Sequence, residues 1–117
     1  MQRQYKLYLQ DILEAIEKIQ TYTKGMDFET FRANALVIDG VVRNLEIIGE
    51  AAKKIPPSIR KETPHIEWKK IAGLRDILIH EYFAVNLKII WGLIDNKLPD
   101  LYQQLKIMVR SEPDLFD

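Results

Sequence analysis

The sequence predicts an all-α protein, a four- to five-helix up-and-down bundle, and three observations carry that prediction. Apolar residues recur at three- and four-residue steps along most of the chain, the period of a helix that buries one face. No run alternates with the two-residue period of a strand, and no glycine-rich phosphate loop, internal repeat or low-complexity segment interrupts the pattern. Glycine and proline mark the ends of the main stripes, as at Gly25 and at Pro56-Pro57, where they stop helices by conformation or by a missing donor.

Element by element, residues 3 to 22 carry Leu9, Ile12, Ile16 and Ile19 on one stripe, and "KGMD" closes this first helix. A second, longer helix is expected from Phe28 to about Ile55, with Val41, Leu45, Ile48, Ala52 and Ile55 facing the core. On another side of it Asp39, Arg43, Glu46 and Glu50 recur at the same spacing. That ridge reads either as solvated ion pairs one turn apart, adding a few tenths of a kcal/mol each, or as a functional face. Gly49 interrupts the same helix at a cost of roughly 1 kcal/mol relative to alanine, which points to close approach of a neighbouring helix.

"PPSIRKETPHI" is expected to be a loop with at most one helical turn, and "EWKKIAGLRDILIHEYF" then restarts a third helix. A fourth is expected from Asn86 to about Asn96 and a fifth from Pro99, a proline permitted in a first turn. The 117 residues fit one domain over 1–110, with 111–117 a flexible tail.

Composition narrows the chemistry. The chain is 47% hydrophobic and 29% charged, as an ordinary globular protein is. Seventeen basic residues balance seventeen acidic ones, so no overall field attracts a polyanion and any nucleic-acid contact must use a local patch. The basic pairs Lys53-Lys54, Arg60-Lys61 and Lys69-Lys70 are candidates for guiding a phosphate backbone, with solvated surface charge as the ordinary alternative. There is no cysteine, which removes thiolate nucleophiles, disulfides and sulfur-rich zinc sites and suits a reducing compartment. No signal peptide or membrane-spanning run is read, so the expected location is cytoplasmic, with no membrane partner.

The third helix concentrates the remaining chemistry. On a wheel of about 100° per residue, Ile71, Leu74, Ile77, Leu78 and Ile79 form a core-facing arc, while Lys69, Gly73, Asp76 and His80 fall together on the opposite side. Without a side chain, Gly73 lets another helix or a ligand approach the backbone beside His80. Asp76 lies one turn before His80, where it can orient the imidazole and favour its protonated form, an arrangement suited to proton transfer. Arg75 diverges from His80 by about 140°, whereas Tyr82 returns to the side of Arg75. For arginine and histidine to act on one phosphate, the helix must distort near its end or a second copy must pack across a two-fold axis, so a homodimer is predicted. A helix-terminal histidine, a snorkelling arginine and a half-buried tyrosine give the same spacing with no catalysis at all. His65 is read as a surface or capping residue, and Trp68 and Trp91 as core anchors, Trp68 also being near enough to the helix start to reach a subunit boundary.

Arg75, His80 and Tyr82 match an arginine, four residues, histidine, any residue, tyrosine signature, and the chain thereby resembles the HepT-like ribonuclease toxins, a branch of the HEPN superfamily of small helical nucleases. "YLQDILEAIEKIQTYT", "RNLEIIGEAAKKIP", "IEWKKIAGLRDILIHEYF" and "IIWGLIDNKLPDL" are similar to the family's blocks and stand in the same order. One departure is Asp76, where many relatives carry asparagine; it brings extra negative charge toward RNA. The resemblance implies a HEPN-like homodimer whose paired motifs form an RNA-cleaving cleft needing no metal ion and no cofactor, with Arg75 and His80 catalytic and Asp76 and Gly73 supporting them. It further implies a toxin–antitoxin system in which a minimal nucleotidyltransferase, the antitoxin, adenylylates Tyr82 with ATP and silences the enzyme. The alternative keeps the fold but makes the protein a non-catalytic partner that binds substrate or nucleotide for a nucleotidyltransferase.

Overall fold

The computed structural model describes residues 3–80 and 86–111, and within them the side chains of all but Arg3, Ile77, Ile79, His80 and Ser111. Helices α1 (Arg3–Thr23), α2 (Phe28–Arg32), α3 (Ala35–Lys53), α4 (Pro57–Glu62) and α5 (Trp68–His80) are followed by α6 (Leu87–Gly92), a π-helical turn (Leu93–Lys97) and α7 (Leu98–Ser111). No strand occurs among the described residues. The protein is an all-α, HEPN-like bundle.

α3 is the central element, packed against α1 on one side and α5 on the other, while α7 lies along α1. The predicted stripes are the observed ones: Leu9, Ile12, Ile16 and Ile19 of α1 and Val41, Leu45, Ile48 and Ala52 of α3 are buried. Each large apolar side chain so removed from water contributes about 1.5–3 kcal/mol. Ile55 is buried too, just past the end of α3. Gly25 has φ 77°, the left-handed conformation that ends α1 and that a side chain would disfavour.

Three boundaries differ from the sequence expectation. The helix expected from Phe28 to Ile55 is two helices, broken at Ala33-Asn34. Asn34 takes an extended conformation and its side chain accepts the Val37 N–H at 3.1 Å, so its amide starts a new helix rather than continuing the old one. Asp27 does the same for α2, accepting the Thr30 N–H at 2.8 Å; that bond holds its carboxyl below the usual carboxylate range. The expected loop after Pro56 contains α4, for which Pro57 supplies the first residue. The separate fourth and fifth helices are one uninterrupted helical run from Leu87 to Ser111. In a regular α-helix the Pro99 ring would press on the carbonyl of Asp95; the wider π turn over Leu93–Lys97 gives that carbonyl room. Ser111 belongs to α7, and the rest of the expected tail, 112–117, lies outside the described residues.

Arg60 has a specific role in this frame. Its Nε donates to the Ile55 carbonyl at 3.1 Å and one terminal nitrogen to those of Ala52 at 2.8 Å and Lys53 at 3.4 Å. It therefore caps the carboxyl end of α3, where a cation also meets the negative end of the helix dipole. Arg60→Ala should lower stability by about 1–2 kcal/mol in urea unfolding, with the slope of the transition unchanged.

The tryptophans are core residues. Trp68 is 3% exposed within its own chain and donates from Nε1 to the Thr63 hydroxyl at 2.9 Å, so it does not reach a subunit boundary. Trp91 is half-buried, its ring 5.1 Å from that of Phe31.

Candidate functional site

α5 builds the site. Trp68 and Leu78 bury one side of it, and Ile71 and Leu74 pack against the same core, which turns Lys69 and Asp76 out to solvent. An added Cβ at Gly73, on that outward face, would meet no atom of the described residues within 4 Å. The backbone is therefore bare there, as the glycine's position on the wheel suggested. His80 lies on α5, five residues after Arg75; its side chain, and all of Tyr82, lie outside the described residues. With α5 helical through position 80, positions 75 and 80 stand about 140° apart around the axis and about 7.5 Å along it.

Arg75 lies at the seam between α5 and α3. Its Nε is 3.0 Å from Oε2 of Glu50, and the two side chains keep 40% and 46% of their surface exposed. The helices come unusually close at this point. A Cβ added at Gly49 would lie 2.9 Å from the Arg75 backbone nitrogen, 3.1 Å from the Arg75 Cβ and 3.3 Å from the Ile71 carbonyl oxygen. Gly49 thus has the close-packing role expected of it, and the neighbour it admits is the arginine's own stretch of backbone.

Glu50 is the residue that sequence reasoning placed but did not interpret. On the charged ridge it was read as a candidate partner for residues one turn away on its own helix, and its ionic contact is instead with α5. Gly49 directly before it was the usable signal, because a helix that comes within contact of a glycine also meets the glycine's neighbours.

One residue of each basic pair is engaged elsewhere. Lys54 lies over the Tyr8 ring, 5.6 Å from its centroid; Arg60 caps α3; Lys70 pairs with Glu67 at 2.9 Å. The Lys70 contact, with Lys97 adding to it, holds the Glu67 carboxyl below its ordinary range. Lys53, Lys61 and Lys69 are exposed, as is His65. A cleft of about 250 Å³ opens on the Ile71 and Leu74 face of α5, floored also by Leu98 and Leu101, and Arg75 takes no part in it. Among the described residues no three His, Asp or Glu side chains are grouped to hold a metal ion, and no helix is long and apolar enough to cross a membrane.

An all-helical, HEPN-like bundle whose fifth helix carries an arginine at the α3 seam and a histidine five residues further on is the framework of a small helical nuclease. The chain belongs to the HepT-like ribonuclease family, whose model matches residues 12–108. It is 44% identical over 105 residues to a candidate RNase of Caldanaerobacter subterraneus subsp. tengcongensis, covering 90% of this chain and 94% of that one. A candidate RNase of Methanocaldococcus jannaschii is 41% identical over 109 residues, covering 93% and 90%. A probable ribonuclease HepT of Thermococcus cleftensis is 43% identical over 101 residues, covering 86% and 92%. No solved structure matches significantly.

Proposed function

We propose that this protein is the toxin of a toxin–antitoxin pair, an endoribonuclease that works without a metal ion in a cleft shared by two copies of the chain. The observation that carries the proposal is the placement of Arg75: half-exposed, fixed at the α3–α5 seam, and on the same helix as His80. The 2′-hydroxyl of RNA loses its proton to a base and its oxygen attacks the adjacent phosphorus. The bond from phosphorus to the 5′ oxygen then breaks, and that oxygen takes a proton from an acid. His80 serves as the base or the acid, and Arg75 stabilises the charge that builds on the phosphoryl oxygens. Asp76, next to Arg75 and exposed, orients His80. The bare backbone at Gly73 admits the second copy, which brings the diverging arginine and histidine positions of two helices to one linkage.

The partner in this reading is a minimal nucleotidyltransferase that acts as antitoxin and adenylylates Tyr82. Each AMP places a phosphate anion and a bulky base at the mouth of the cleft, where both oppose RNA. Incubation with ATP and that partner should raise the mass of the chain by whole adenylyl units on Tyr82 and stop cleavage; an unchanged mass in a mixture that has lost activity contradicts this part.

The cleavage itself is tested with purified protein and single-stranded RNA in the presence of chelator. Products ending in 2′,3′-cyclic phosphate, absent with His80→Ala, are expected. Cleavage abolished by chelator refutes the metal-free mechanism, and a protein that binds RNA without cutting it leaves the non-catalytic partner as the better reading.

A further inference from the structure

Arg75 is held from outside its own helix. Its ionic contact comes from Glu50 of α3, and three features of that contact fit together. Glu50 follows Gly49, where the two helices come so close that a methyl group would sit 2.9 Å from the Arg75 nitrogen; the glutamate is thereby delivered to the base of the arginine side chain. The approach is at Nε, 3.0 Å from the carboxylate, the inner edge of the guanidinium, whereas the two terminal nitrogens form the fork that grips phosphate. Both side chains remain 40% and 46% exposed, so a polyanion can reach the outer edge while the inner one stays engaged.

We infer that Glu50 is a positioning residue for Arg75, anchoring the guanidinium by Nε so that its terminal nitrogens are aimed before RNA arrives. The inference rests on the ribonuclease reading above. An unanchored arginine loses its rotamer freedom when the phosphate binds, whereas an anchored one has lost it on folding, and charge stabilisation of a transition state depends on groups fixed in advance. The anchor has an opposing effect on binding, because a carboxylate beside the arginine reduces the local attraction for RNA. Removing the charge should therefore slow the chemistry without weakening binding. Two other roles make different predictions. A glutamate that merely ties α3 to α5 would lower the unfolding midpoint together with kcat, and one that blocks Arg75 until RNA displaces it would raise activity when removed.

The test compares Glu50→Gln, which keeps the shape, and Glu50→Ala with wild type in steady-state RNA cleavage, each also in an Arg75→Ala background. The ¹H–¹⁵N signal of the Arg75 Nε–H is followed in the proteins that retain Arg75. Glu50→Gln should lower kcat by about 10- to 100-fold, the scale of a small misplacement of a catalytic group, with KM unchanged or lower and the unfolding midpoint within a few degrees. In the Arg75→Ala background the same change should have no further effect. The Arg75 Nε–H signal should shift and broaden once the carboxylate is gone. A kcat within twofold of wild type, an increase in kcat, an undisturbed Nε–H signal, or an equal loss in the Arg75→Ala background overturns the inference. The NMR measurement needs no activity, so a wild-type protein that shows the anchored signal but cuts no RNA locates the failure in the ribonuclease reading instead.

Discussion

In His80→Ala, kcat for RNA cleavage is expected to fall by about 10²–10⁴-fold, the range for removing a positioned proton-transfer group. Arg75→Ala should cost about 10²–10³-fold, as removal of one charge-stabilising donor does. The two act on the same transition state, so the double variant should lose little more than the worse single one. Arg75→Lys should not restore the rate, because an ammonium has neither an inner edge for Glu50 nor a fork for phosphate. The fold should barely notice Arg75→Ala: its ion pair with Glu50 is partly exposed, and such pairs contribute at most about 1 kcal/mol. Single-turnover cleavage read alongside thermal unfolding separates these effects, and a rate loss matched by a loss of folded protein would contradict the assignment.

The largest structural effect is expected at Gly49. A methyl group there would press on the Arg75 backbone nitrogen at 2.9 Å and the Ile71 carbonyl at 3.3 Å, and backbone atoms inside a helix cannot turn aside as a flexible side chain can. α3 and α5 must separate, an overpacking cost of about 1–3 kcal/mol, against a gain of about 1 kcal/mol from replacing a mid-helix glycine with alanine. Gly49→Ala should therefore be net destabilising, and Gly49→Val clearly more so, each lost kcal/mol lowering Tm by roughly 4–8 °C. Both should also reduce cleavage, since Glu50 and Arg75 are displaced along with the helices. Gly73→Ala is the matched control. Its Cβ meets none of the described residues, so the same propensity gain should raise the Tm of the isolated fold by a few degrees, while in the proposed dimer it crowds the approaching copy and weakens association. A Tm that rises in Gly49→Ala would show that the seam has slack.

The bundle was legible because burial follows a period: the stripes through Leu9 to Ile19 and Val41 to Ala52 are one-dimensional patterns that survive into the core. What escaped were local competitions. Asn34 looks like an ordinary polar residue within a long helical pattern, and only its bond to the Val37 N–H ends one helix and begins another. Pro99 was read as a helix start, whereas the chain absorbs it with a π turn. Arg60 was grouped with surface charge because nothing in its neighbours announces that three carbonyls at the end of α3 lie within reach.

For the site, the arginine, glycine and histidine positions were legible from spacing on one helix, and family resemblance supplied their roles. Glu50 was not, because its pairing depends on which faces of α3 and α5 meet, and that is decided by packing rather than by either helix alone. Gly49 came nearest to revealing it. The roles of Arg75, His80 and Tyr82 rest on that resemblance and on their spacing.

The shared cleft is tested most directly by diluting the wild-type chain with a chain carrying both Arg75→Ala and His80→Ala, the two unfolded and refolded together so that they pair at random. If one linkage is cut by groups from both copies, cleavage should fall as the square of the wild-type fraction, leaving about a quarter of the activity in an equal mixture. Activity that falls only in proportion to the wild-type fraction, leaving about half, would mean that each chain cuts RNA alone, and the two-copy site would have to be abandoned.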